Sequence, residues 1–252
     1  MANPEITLPE RIVNEKDGAE MVLIPAGEFE MGSPKNDDKH WERPIHTVYL
    51  DDFYMDVHPV TNAQYRLFVQ ETGYPTPKTT PAFSHPQQPV VWVTWWDAME
   101  YARWAGKTLP SEAQWEKAAR GGLNGNPYPW GDEEPNPSLA SYDSIYRITL
   151  PVRSFPPNGY GLYDMAGTVW ELCMDEWQED YYSRSPHENP VAGGVVSATA
   201  DLRSIKSLRV ARGGCWQFRP DHGLEVFHRS YSPVDFIEDF QGFRCVKPVL
   251  PR

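Results

Sequence analysis

The chain has 252 residues, 40 % hydrophobic and 23 % charged, enough apolar material for one sizeable core. A formal net charge of −12 disfavours a nucleic-acid or anionic-membrane partner, since both require basic patches. No apolar run reaches the roughly 18 residues that suggest a membrane span, and the N-terminus lacks the apolar stretch of a secretory signal. The default location is therefore the cytoplasm, with surface display through a partner left open.

Residues 1–19 are polar and are expected to form an N-terminal extension to a single domain over 20–248. MVLIPAGEFEMGS then predicts two short strands with a turn at Pro25–Ala26–Gly27. TVYLDDFYMDVHPVT predicts further strands, with Thr47, Tyr49 and Phe53 at alternating positions.

Three helices follow, each with legible ends. Thr61 and Gln64 form a capping-box pattern ahead of a face of Tyr65, Phe68, Val69 and Thr72, and Gly73 stops the helix. Thr94 and Asp97 open the second helix, with Ala98, Tyr101, Ala102 and Ala105 on one face and Gly106 at its end. Ser111 and Gln114 open the third, with Trp115, Ala118 and Ala119 inward and Gly121 at the end. Beyond Gly122 regular pattern fades into turn-rich sequence, and 178–207 reads as a long surface excursion.

Three cysteines are too few and odd in number for a disulfide framework, which favours a reducing compartment. Cys245, between apolar neighbours, is expected to be a buried structural thiol. The tract from Arg209 to Val246 carries the other chemistry. It holds Cys215, His222 and His228, has no helical or strand period, and reads as an ordered loop. A Cys, His and His set suits zinc or copper, and Cys215 with His222 or His228 also suits a nucleophilic pair. The spacing matches no stereotyped motif for either. A third reading is recognition. Trp216, Phe218, Phe227, Tyr231, Phe236 and Phe240 alternate with Arg219, Asp221, His222, Glu225, His228 and Asp239, a mixture of rigid rings and polar groups typical of binding surfaces. Part of these rings is expected to fill the core beneath the loop. Upstream, in LYDMAGTVWE, Asp164 and Glu171 flank a bend, and Gly167 and Val169 supply carbonyls. Calcium favours that mix of oxygens.

Taken together, MVLIPAGEFEMGS, FYMDVHPVTNAQYRLFV, PVVWVTWWDAMEYARWAGKTLPSEAQWEKAARGG, YPWGD, PPNGYGLYDMAGTVWE, RVARGGCW and GFRC resemble, in order, the formylglycine-generating enzyme (sulfatase-modifying factor) family. The resemblance implies an α+β, C-type-lectin-like fold, rich in loops. It implies calcium on the side chains of Asp164 and Glu171 and the carbonyls of Gly167 and Val169. It also implies a second calcium site near Ser141–Tyr146, where Ser141 replaces the usual Asn.

The oxygen-dependent members bind copper(I) through two cysteines and oxidise a substrate cysteine to formylglycine. Here Cys215 stands at the serine of their motif, and the two cysteine positions fall on Phe218 and Gly223. Neither supplies a thiolate, so no copper is expected. The resemblance extends to variable proteins of diversity-generating retroelements, whose equivalent tract is diversified. The expectation is a non-catalytic module whose 216–240 tract binds a protein or small-molecule ligand. The alternatives are an oxidoreductase acting through Cys215 and an interaction domain of a larger bacterial assembly.

Overall fold

The three helices begin and end where their local signals place them. α1 (Asn62–Thr72) opens on Thr61, whose hydroxyl accepts the Gln64 N–H while the Gln64 side chain accepts the Thr61 N–H. α2 (Trp95–Trp104) and α3 (Glu112–Arg120) repeat this reciprocal cap with Thr94 and Asp97, and with Ser111 and Gln114. Losing such a cap typically costs about 1 kcal/mol. The computed structural model describes residues 8–35, 37–220 and 223–249. None of the described helices is long and apolar enough to cross a membrane.

Two strands do flank Pro25–Ala26: β2 (Glu20–Ile24) and β3 (Gly27–Met31). They do not pair with each other. β2 joins β1 (Arg11–Val13), β5 (Phe53–Asp56) and β10 (Val246–Pro248) in an antiparallel sheet of order β1-β2-β5-β10, whereas β3 pairs with β4 (His46–Leu50). Residues 11–19 are thus no extension. β1 is hydrogen-bonded into the sheet, and Asp17 is buried against Lys107 at 2.6 Å and the Tyr101 hydroxyl at 2.6 Å. Lys107 also contacts Asp56 at 2.9 Å, whose other oxygen accepts the Cys245 N–H. This buried cluster joins the segments around Asp17 and Cys245 to the residues that follow α2. Cys245 is fully buried beside it, as expected.

The second sheet, of order β8-β7-β6-β9, carries the site. Its strands are β6 (Trp170–Glu176), β7 (Arg209–Arg212), β8 (Ser230–Ser232) and β9 (Gln241–Gly242). The tract 209–246 is therefore not loop throughout: it supplies β7, β8, β9 and the start of β10, with connections over 213–229 and 233–240. β6 escaped sequence reading because its residues are buried on both faces up to Asp175, which erases alternation.

His58 follows β5, with Nδ1 2.8 Å from the Pro59 carbonyl, and burial pushes its pKa down to about 4 from 6.5. A histidine depressed in the folded state stabilises fully above its unfolded pKa and loses that contribution as pH falls through its folded pKa. Urea titrations between pH 7 and 4 should therefore show a loss to which His58 contributes about 3 kcal/mol. His58→Gln should flatten that slope; an unchanged slope would remove His58 as its cause.

Candidate functional site

β7 runs into Gly213–Gly214, and the chain then makes an excursion that closes on itself at Gly223. A Cβ on Gly223 would lie 2.8 Å from the Gly214 Cα and 2.6 Å from the Trp170 ring, at a φ of +127° that only glycine adopts without strain. Cys215 lies inside this neck and is 1 % exposed. Its sulfur packs beside the Trp170 ring, and burial pushes the thiol up to about 12. Thiolate chemistry is thereby suppressed at neutral pH. Among the described residues no hydrogen bond joins Cys215 to a histidine. His228 is buried with Nδ1 2.9 Å from a Glu42 carboxylate oxygen, and burial holds its pKa down. His222 lies outside the described residues, as does Asp221.

The residues expected on a recognition surface divide. Phe218 (41 % exposed), Arg219 and Tyr231 (54 % exposed) stand at the surface. Trp216, Glu225, Phe227 and His228 do not, and this corrects their assignment. The Trp216 ring is buried, with its indole N–H on the Asp239 carbonyl at 3.2 Å. Phe227 is a core residue, and Glu225 is buried in an ion pair with Lys35. An aperiodic tract gives no signal to separate inward from outward residues.

The outward residues meet others from distant sequence. A cavity of about 230 Å³ is lined by Trp170 of β6, Phe218, Tyr231, Phe236, Phe240 and Gln241. Trp170 was legible only as part of the LYDMAGTVWE motif. Its place between the neck and this cavity is a product of β6–β7 pairing across a long sequence separation.

Behind the neck lies the expected calcium set. Asp164 and Glu171 are both buried. The Arg244 guanidinium grips Glu171 with Nε and Nη2, each at 2.7 Å, and the Trp115 indole N–H adds a bond at 2.8 Å. Among the described residues the Asp164 carboxylate accepts the Arg153 N–H at 2.8 Å, and burial pushes its pKa up to about 6. Among the described residues, Arg244 is the one guanidinium in hydrogen-bond contact with these two carboxylates. One buried negative charge is thus left without a contacting counter-charge, and Glu171 Oε1 keeps a free lone pair. Gly167 and Val169 lie at a tight turn through Thr168, where the Val169 N–H bonds the Gly167 carbonyl at 2.8 Å and Thr168 has a φ of 64°. Carboxylate and carbonyl oxygens are the donor types a hard cation takes, although among the described residues no three acidic, histidine or cysteine side chains cluster as a metal site. At Ser141 the backbone braces this turn: its carbonyl accepts the Thr168 N–H at 3.1 Å, and a Cβ on Gly167 would lie 2.2 Å from it.

A model of the sulfatase-modifying factor enzyme 1-like domain matches residues 8–249. The chain belongs to this family. It is 33 % identical to the formylglycine-generating enzyme of Streptomyces coelicolor, over 89 % of this chain and 88 % of that enzyme. It is 38 % identical to the serine/threonine-protein kinase pkn1 of Chlamydia pneumoniae, over 91 % of this chain but only 38 % of that protein's length. Among solved structures, PvdO from Pseudomonas aeruginosa matches with a TM-score of 0.77 and 29 % identity, covering 95 % of this chain and 98 % of PvdO. Treponema denticola variable protein 1 matches with a TM-score of 0.72 at 22 % identity, covering 94 % and 98 %, a likeness of fold. The α+β, loop-rich, C-type-lectin-like scaffold of the formylglycine-generating enzymes is the fold of this chain.

Proposed function

We propose that this family member is a non-catalytic ligand-binding module whose recognition surface is the outward part of 216–240. The observation that carries this reading is the exchange at one place. The two positions of the family's copper thiolates hold Phe218 and Gly223, and Phe218 instead forms part of the wall of an aromatic cavity. A divergent oxidoreductase acting through Cys215 finds no support in a buried thiol whose pKa is raised to about 12. The ligand is a protein or small molecule. A reverse transcriptase gene beside a near-repeat of the DNA encoding residues 212–244 would mark the surface as a diversified one.

The test is a thermal-shift screen of a metabolite library on the native chain and on a Phe218→Ala, Tyr231→Ala double variant. Both side chains are exposed, so the variant should fold. At about a hundredfold excess over Kd a ligand stabilises by about 2.7 kcal/mol, which for a chain of this length raises Tm by roughly 5–10 °C. The expected result is ligands that shift the native chain and not the variant. Ligands that shift both equally would place binding elsewhere and overturn the reading.

Calcium is the proposed structural ion, held by Asp164, Glu171 and the carbonyls of Gly167 and Val169, where it would neutralise the surplus carboxylate and fix the turn behind the neck. Saturating calcium should raise Tm by several degrees over an EDTA-treated sample, by about 2–4 °C per kcal/mol. Asp164→Asn should abolish that difference; a native chain indifferent to calcium would contradict the assignment.

A further inference from the structure

The walls of the Phe218 cavity are unusual in chemistry as well as in shape. Trp170 and Phe218 have ring centroids 6.5 Å apart at 60°, Phe218 and Phe240 5.6 Å at 61°, and Phe236 and Phe240 6.1 Å at 53°. No pair in this series is stacked. Successive rings turn by more than half a right angle, and all four belong to the cavity lining. Tyr231 completes the wall from β8. The remaining lining is Ala211, Ser230, Ser232 and Gln241, with no basic residue among the described residues. The Gln241 amide N–H groups already face the Val93 and Phe236 carbonyls at 3.4 and 3.3 Å, which leaves its oxygen as an acceptor.

Charge points the same way. The connection that carries Phe236 and Phe240 also carries Asp235, Glu238 and Asp239. Between Ser230 and Val246 the one basic residue is Arg244, and its guanidinium is buried on Glu171. An aromatic lining with acceptor groups, two of its rings on a connection that carries three acidic residues, favours a cation. The apolar rings favour one that is bulky, weakly hydrated and without N–H groups to satisfy.

We infer that the cavity formed by Trp170, Phe218, Tyr231, Phe236 and Phe240 is an aromatic cage for a quaternary ammonium group. This rests on the binding reading above and names the class of its ligand. A free choline-type molecule and a trimethylated lysine side chain share this chemistry.

The experiment is isothermal titration of the full chain with choline, with its neutral carbon isostere 3,3-dimethylbutan-1-ol, and with a trimethyl-lysine peptide. Choline or the peptide should bind, and the tighter of the two identifies the source. The isostere should bind at least about tenfold more weakly than choline, the scale of a cation–π contribution. Phe218→Leu and Tyr231→Leu keep apolar bulk at exposed positions while removing the π face. Each should weaken the cation severalfold and leave the isostere unchanged. If the isostere matches choline, the cavity is merely apolar: the cage is overturned, and the binding reading survives. If none of the three binds, the cage is overturned, and the metabolite screen alone decides the binding reading. If the two Leu variants bind choline as the native chain does, binding lies elsewhere and the cage is likewise overturned.

Discussion

Putting cysteine at both positions of the family's copper site, Phe218→Cys with Gly223→Cys, should not restore a copper(I) centre. Phe218→Cys alone changes an exposed side chain and should cost little, about 0.5 kcal/mol or less in folding stability. Gly223→Cys is different. Its Cβ meets the Trp170 ring at 2.6 Å and the Gly214 Cα at 2.8 Å, from a φ of +127°. Backbone strain of about 1–3 kcal/mol adds to overpacking of similar size, so the variant should lose about 3 kcal/mol or more in urea unfolding. Gly223→Ala should lose nearly as much, because the conflict begins at Cβ. Copper(I) competition against a chelator should give no tight dithiolate binding. A double variant as stable as the native chain that binds copper(I) tightly would show that residue type alone, and not the shape of the neck, separates this chain from the enzymes.

The second large effect is expected at Arg212. Its side chain is fully buried at the end of β7, donating to Glu116 at 2.5 Å and Glu112 at 3.2 Å and to the Val226 and Phe227 carbonyls at 2.7 and 3.3 Å. Arg229 covers Glu112 from the other side at 2.7 and 2.9 Å, and Arg120 covers Glu116 at 2.7 Å. Arg212→Ala removes one cation from this network and leaves the carboxylates partly uncompensated away from water. Breaking a buried pair in this way costs about 3–5 kcal/mol, or roughly 10 °C in Tm. It also releases the two carbonyls that hold the chain just before β8, so ligand shifts at the Phe218 cavity should fall together with stability. Arg212→Lys should recover little, since one ammonium cannot span a fork of two carboxylates and two carbonyls. A loss below about 1 kcal/mol for Arg212→Ala would mean that Arg229 and Arg120 suffice.

The helices were legible because their signals are local. Thr61 with Gln64, Thr94 with Asp97 and Ser111 with Gln114 each fall within one turn, and the cap forms from those residues alone. The strands of the second sheet were not. Nothing in WELCMDE alternates, and β7, β8 and β9 are short segments whose pairing depends on residues far away. The candidate site divides along the same line. The motif frame and the replaced cysteine positions could be read from sequence, because a missing thiol is a property of one residue. Burial could not: Phe218 and Phe227 look alike in the sequence, yet one stands in solvent and the other in the core. His228 is a candidate catalytic base in the sequence, but the fold buries it on Glu42 and, among the described residues, gives it no hydrogen bond to Cys215. The N-terminal segment misled for a related reason. Asp17 looks like a solvent-facing residue until Lys107 and Tyr101 close over it.

The most direct test of the central claim, that this scaffold binds and does not oxidise, is incubation of the copper-treated protein with a CxPxR peptide in oxygenated buffer, followed by mass spectrometry. The peptide cysteine should remain unconverted, because neither Phe218 nor Gly223 supplies a thiolate and Cys215 is buried in its protonated form. Formation of formylglycine above a protein-free, copper-containing control would contradict the account.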